Sequence, residues 1–197
     1  TEVEALLLDY DRTEAGAAGT DQAGTQLAPG TDVGRWRVER LLGRGGMGEV
    51  YLAHRIGSDY DQRAALKLLS RMESPEDRTR FAAERRILAR LEHPGVARLL
   101  DGGEHQGTPY AVMEYVDGTT FTEHARELPL RRQVTLLLQA CEAVGHAHRH
   151  LVVHRDLKPG NMLVDAQGHL KLLDFGIAKL LDADAAAVSA TRIFTPE

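Results

Sequence analysis

Bulky apolar and charged residues alternate along Trp36-Arg37-Val38-Glu39-Arg40-Leu41, the period of a strand with one buried face. A Gly-rich stretch follows, and Glu49-Val50-Tyr51-Leu52-Ala53 then reads as a second strand. A turn at Gly57-Ser58-Asp59 leads to a third strand from Arg63 to Leu69. Ser74 suits a helix N-cap and Pro75 the first helical position, while Glu76 and Asp77 favour the positive end of the helix dipole. Phe81, Leu88 and Leu91 then share one apolar face, and His93-Pro94-Gly95 ends the helix. Val96 to Leu100 and Tyr110 to Val116 predict two more strands across a Gly-rich turn. The first half is therefore expected to be a five-stranded antiparallel sheet with one helix. Farther on, the pattern predicts a short helix near Phe121 to Arg126 and a long one from Arg131 to His148. Strands at Met162–Val164 and Leu170–Leu173 flank the turn Asp165-Ala166-Gln167-Gly168. No internal repeat is visible.

Residues 11–34 differ in texture. They are rich in Ala, Gly, Thr, Asp and Gln and nearly lack large apolar side chains, too few to offset the entropy of ordering. Residues 1–34 also hold seven of the 29 acids and one of the 24 bases, and read as a solvated, disordered acidic segment ahead of a domain at 35–197. With 43% hydrophobic and 27% charged residues, the chain has the composition of a globular protein. A net charge of -5 gives no basic excess for phosphate backbones, so no nucleic-acid partner is expected. Apolar runs such as Leu6-Leu7-Leu8 and Leu136-Leu137-Leu138 are too short to span a bilayer, and no secretory leader pattern opens the chain. The lone Cys141 fits a reducing compartment and, amid Leu138, Ala140 and Val144, is expected to be a buried small hydrophobe.

Candidate chemistry begins at Gly43-Arg44-Gly45-Gly46-Met47-Gly48, which fits G-x-G-x-x-G. Glycines let backbone approach phosphate oxygens closely. A dinucleotide-binding turn would open a helix at its third glycine. Here a strand continues through Glu49 to Leu52, so the glycines sit in a hairpin that can lie over a nucleotide as a flap.

From this flap to the end, roughly residues 36–197, the chain resembles the protein kinases. Ala65-Leu66-Lys67 looks like the third-strand motif of that family, and Glu84, seventeen residues later, is placed like the lysine's ion-pair partner. His154-Arg155-Asp156-Leu157-Lys158-Pro159-Gly160-Asn161 matches the catalytic loop without a gap, and Asp174-Phe175-Gly176 follows eighteen residues after Asp156. The resemblance implies an α+β, two-lobed fold, with a small lobe at about 35–116 and the start of a mainly helical large lobe at 117–197. It makes Asp156 the group that accepts or orients the proton of an attacking hydroxyl and Lys158 a point charge near the transferred phosphoryl group. Lys67 would pair with the nucleotide phosphates, and Asn161 and Asp174 would hold Mg²⁺. Phe175 would pack between Leu88 and His154, with Leu99 above.

For ATP, the resemblance puts Met113 at the gate of the adenine pocket and the backbone of Glu114 and Val116 on the adenine edge. Leu42, Val50, Ala65 and Leu163 would sandwich the ring, under the flap residues Gly43, Arg44, Gly45, Gly46, Met47 and Gly48. Lys158, two residues after the aspartate, resembles the Ser/Thr branch. Arg155 implies control by phosphorylation, with Ser189 and Thr191 as candidate acceptors and Thr195 in a structural place. The flap and loop resemble bacterial receptor-like kinases, which often continue into a membrane span and sensor domain. A cytoplasmic Ser/Thr kinase is expected, with protein substrates and a homodimer for trans-autophosphorylation.

The family's large lobe runs well past Thr195-Pro196-Glu197. The expectation is a fragment of a longer product, with Leu136, Leu137 and Val144 left exposed. Two rival readings share part of the pattern. A small-molecule phosphotransferase has the His-x-Asp-x-x-x-x-Asn skeleton, but Arg155, Lys158 and the complete flap count against it. A pseudokinase scaffold is opposed by intact Lys67, Asp156 and Asp174. His146 and His150 stand one helical turn apart, yet no carboxylate or thiol accompanies them, so a metal site there is not expected.

Overall fold

The computed structural model describes residues 26–45, 48–69 and 75–175, without the side chains of 75–78, 80 and 84. Strands β1 (Asp32–Val33), β2 (Trp36–Gly45), β3 (Gly48–Arg55), β4 (Arg63–Leu69), β5 (Leu99–His105) and β6 (Thr108–Glu114) form one antiparallel sheet in the order β1-β2-β3-β4-β6-β5. Helix α1 (Pro75–Leu88) lies between β4 and β5. The sheet sorts its side chains by strand parity. Val38, Tyr51, Ala53, Ala64, Leu66, Tyr110 and Val112 enter a core closed by Val33 and Trp36. The opposite parity (Val50, Lys67, Ala111) faces the cleft: Val50 stands opposite Lys67, and Lys67 opposite Ala111.

The sheet has six strands where the alternation predicts five. The extra one, β1, pairs Asp32 with Arg37 and Val33 with Trp36. It lies in the stretch expected to be disordered, yet Val33 is fully buried and Leu27 packs on the same core. Backbone bonds from Gly30 N to Val38 O (2.8 Å) and from Val38 N to Thr31 O (2.9 Å) tie it down. A few residues added to an existing sheet edge need no core of their own. Residues 1–25 lie outside the described residues.

The fifth strand also differs: it starts at Leu99, and Val96–Arg98 instead form a strap between lobes. Ala97 N donates to Leu172 O and Leu172 N to Gly95 O, both at 2.9 Å, while Glu114 N donates to Arg98 O at 2.8 Å. The large-lobe part comprises β7 (Gly118–Thr120), α2 (Phe121–Ala125), α3 (Leu130–Arg149), a 3₁₀ turn at Pro159–Asn161, β8 (Met162–Asp165) and β9 (Leu170–Leu172). The last three strands form a second antiparallel sheet, β7-β8-β9. Thr120 caps α2 in a reciprocal box with Glu123.

Helix α3 carries two apolar stripes. Leu136, Ala140, Ala143 and Ala147, spaced by four, three and four, are buried against β9 and its neighbours. Val134, Leu137, Leu138 and Cys141 cluster on another face, three or four apart along two neighbouring rows, and are exposed. Cys141 is thus not the buried hydrophobe expected, because it belongs to the outward stripe. Of the residues expected to be exposed, Leu137 is, Leu136 is buried and Val144 is half-buried. Among the described residues no helix is long and apolar enough to cross a membrane.

Candidate active site

The upper wall of the cleft is the β2–β3 hairpin with β4 and β6 beside it. Gly43 stands opposite Val50, and Leu52, Ala65 and Met113 stand opposite one another across three strands. Sheet register alone therefore gathers Val50, Ala65, Lys67 and Met113 on one face. Gly48 closes the hairpin at φ +130, where a Cβ would overlap the Leu68 carbonyl oxygen. Arg44 Nε meets Glu49 Oε1 at 2.8 Å across the hairpin. Gly46, Met47 and the Glu84 side chain fall outside the described residues, as do Gly176, Ser189, Thr191 and Thr195.

Lys67 is 7% exposed and needs a counter-charge. In the described residues it finds one on the lower wall: Lys67 Nζ donates to Asp174 Oδ2 at 2.6 Å. The other carboxylate oxygen, Asp174 Oδ1, is buried with no hydrogen-bond partner among the described residues. Asp174 takes φ +47, a left-handed conformation uncommon outside glycine, so backbone strain accompanies its placement.

The lower wall is a loop held by side chains rather than by a ladder. Asn161 Nδ2 donates to Asp156 O at 2.8 Å and to Asp156 Oδ2 at 3.0 Å. Lys158 Nζ lies 3.0 Å from the same Oδ2. Leu173 N donates to Asn161 O at 2.8 Å, which joins this group to the residue preceding Asp174. Arg155, at φ +62, turns the chain between His154 and Asp156. His154 Nε2 donates to Leu173 O at 2.8 Å and stacks on Phe175 with ring centroids 4.5 Å apart. Burial holds His154 below its ordinary pKa, against the opposing pull of the Leu173 carbonyl, Asp174 and Asp156. Burial thus favours the neutral imidazole, whose Nε2–H makes the bond to Leu173.

The donor set fits a hard divalent cation. Asp174 offers an unpartnered buried carboxylate oxygen. Both amide hydrogens of Asn161 are turned to Asp156, which leaves its amide oxygen for a cation.

At the hinge, Met113, Val116 and Leu163 are buried, while Leu42, Val50 and Ala65 are half-buried at the cleft. The N–H of Glu114 is taken by Arg98 O at 2.8 Å. Its carboxylate binds Lys171 Nζ at 2.6 Å, on β9 of the other lobe. Sequence reading missed this link, since Lys171 lies in no motif and Glu114 was read for its backbone alone.

Comparison with known proteins gives the same class. The protein kinase domain family matches residues 36–197, and the chain belongs to that family. Serine/threonine-protein kinase PknA of Mycobacterium tuberculosis is 43% identical over 160 residues, covering 76% of this chain and 37% of that protein. PrkC of Bacillus subtilis is 38% identical over 156 residues, covering 76% and 24%. The crystal structure of the M. tuberculosis PknI kinase domain superposes with a TM-score of 0.68 at 36% identity, covering 78% of this chain and 62% of that one. The chain thus spans 24% to 37% of the length of these curated relatives.

Proposed function

We propose that this chain is the nucleotide-binding and catalytic part of an ATP-dependent Ser/Thr protein kinase, with domain bounds of about 35–197. The observation that carries this reading is one connected polar group. Asp156, Lys158 and Asn161 bond to one another and connect through Leu173 to the Lys67–Asp174 pair.

The chemistry follows from those positions. Asp156 accepts the proton of a substrate Ser or Thr hydroxyl as its oxygen bonds to the γ-phosphorus and the bond to the departing diphosphate oxygen breaks. Lys158, held beside Asp156, balances charge on the phosphoryl oxygens. Lys67 exchanges its contact with Asp174 for the α- and β-phosphates. Asn161 and Asp174 would hold Mg²⁺, which would neutralise charge on the phosphates. The glycines of the flap let backbone N–H groups close over them, and Leu42, Val50, Ala65, Leu163 and Met113 enclose the adenine. Autophosphorylation at Ser189 or Thr191 in a homodimer, and a cytoplasmic site of action, belong to the same reading.

The test is Mg²⁺-dependent transfer of labelled γ-phosphate to the chain and to a generic Ser/Thr protein, beside Asp156→Asn. Label that vanishes in the variant supports the proposal. An ATP-bound, folded chain that labels neither would refute it for this chain.

A further inference from the structure

The strap at residues 26–33 reaches the nucleotide flap through a buried phenol. Tyr51 is fully buried in the small-lobe core, and its hydroxyl has two partners. It donates to Glu49 Oε2, and it accepts the backbone N–H of Leu27 at 3.0 Å. Glu49 in turn holds Arg44 through its other oxygen. The run Leu27 N–H, Tyr51 hydroxyl, Glu49 carboxylate, Arg44 guanidinium is therefore continuous. Its far end sits within the glycine motif, on the two residues that face each other across the hairpin.

Each link has a physical reason to hold. Burial, with the Glu49 carboxylate second, pushes the Tyr51 phenol up to about 12, so it stays protonated and donates. Leu27 packs its side chain on the core that surrounds Tyr51, which fixes the backbone N–H over the hydroxyl. Glu49 follows Gly48 directly, which packs so close to β4 that a Cβ there would overlap the Leu68 carbonyl oxygen. A carboxylate held on two sides at that point sets how far the hairpin leans over the cleft.

We propose that Tyr51 is a positioning residue for the nucleotide flap and that residues 26–33 act through it as part of the nucleotide-binding unit. This rests on the reading of the flap as a phosphate-covering hairpin. None of these residues touches the nucleotide; they set the posture of the residues that do. Tyr51→Phe keeps the ring and the packing and removes only the hydroxyl. Leu27→Pro removes the N–H, and Leu27→Ala retains it while giving up the side-chain contact.

The experiment measures, on the full chain, Mg²⁺–ATP affinity and KM against kcat, together with deuterium exchange of the amides at 43–50 without nucleotide. Tyr51→Phe should weaken ATP affinity and raise its KM about three- to tenfold with kcat unchanged, the size of an ordinary hydrogen bond's net contribution. Flap amides should exchange faster in the same variant. Leu27→Pro should reproduce both effects beyond Leu27→Ala, and the double variant with Tyr51→Phe should be no worse than Tyr51→Phe alone. A lowered melting temperature with flap exchange unchanged would overturn the proposal and leave Tyr51 a core residue only. Additive effects at 27 and 51 would overturn the link between them. If the unaltered chain binds no ATP, the kinase reading fails, while the exchange measurement still decides whether Tyr51 controls the hairpin.

Discussion

The two walls of the cleft place their residues by different means. The upper wall is a sheet, and every cleft residue on β3, β4 and β6 is set by ladder register and strand parity. The lower wall is irregular backbone. It is held by Asn161 and Lys158 on Asp156 and by His154 on Leu173, with Arg155 and Asp174 both in the left-handed region. A sheet distributes positioning over many equivalent bonds, so single changes tilt it. A strained loop concentrates positioning in a few side chains, so single changes remove a function while the fold stands.

The sharpest way to test that contrast is Asp156→Asn. Phosphoryl transfer should fall by about 10²- to 10⁴-fold, with the thermal unfolding midpoint nearly unchanged. Leu136→Ala should do the opposite, costing about 2–5 kcal/mol in denaturant unfolding, whereas Leu137→Ala one position on should cost under about 0.5 kcal/mol. Gly48→Ala comes next. It should lose about 1–3 kcal/mol and weaken ATP, since the strand must move off Leu68. Lys171→Met should cost about 1 kcal/mol, because the pair with Glu114 is only partly shielded from water. A thermal melt would register the loss without a matching loss of catalytic rate.

The smallest effect is in pH. The folded pKa of His154 lies below its ordinary 6.5, so the unfolded chain takes up its proton first as pH falls. Its contribution to stability is complete above about 6.5 and declines as pH drops toward the folded pKa. His146 is lowered too, chiefly by burial and then by His150 and His93, and its contribution has the same sign. In a denaturant series from about pH 5 to 8, His154→Gln should flatten part of that slope. A slope unchanged in the variant would assign the effect to His146.

Much of this was legible in the sequence because periodicity and motif each reported one wall. The alternation at Arg63–Leu69 gives β4 with its bounds, and Asp165 to Gly168 gives the turn between β8 and β9. The spacing from His154 to Asn161 gives the loop whose members bond to one another. The misses share a cause. Asp32–Val33 and Gly118–Thr120 are too short to show a period, and only their partners make them strands. Val96–Arg98 looks like a strand because it is apolar, but sequence does not say whether its backbone bonds go to its own sheet or to β9. On α3 two apolar stripes both follow helical periodicity, and nothing local tells which one faces inward, so Cys141 was placed on the wrong side.

The strap at 95–98 has a mechanical consequence. Its backbone is bonded to β6 through Glu114 and to β9 through Leu172, and Lys171 adds a charged stay beside them. A rotation of one lobe against the other that keeps these bonds must turn about a line through them. Such a fulcrum leaves Glu114 and Met113 nearly stationary, while Gly48, paired with Leu69 at the other end of β4, sweeps a wider arc. On the function proposed above, the adenine end of the cleft would be a fixed jaw and the phosphate end a moving one. Admission and release of a nucleotide would be governed at the phosphates rather than at the base.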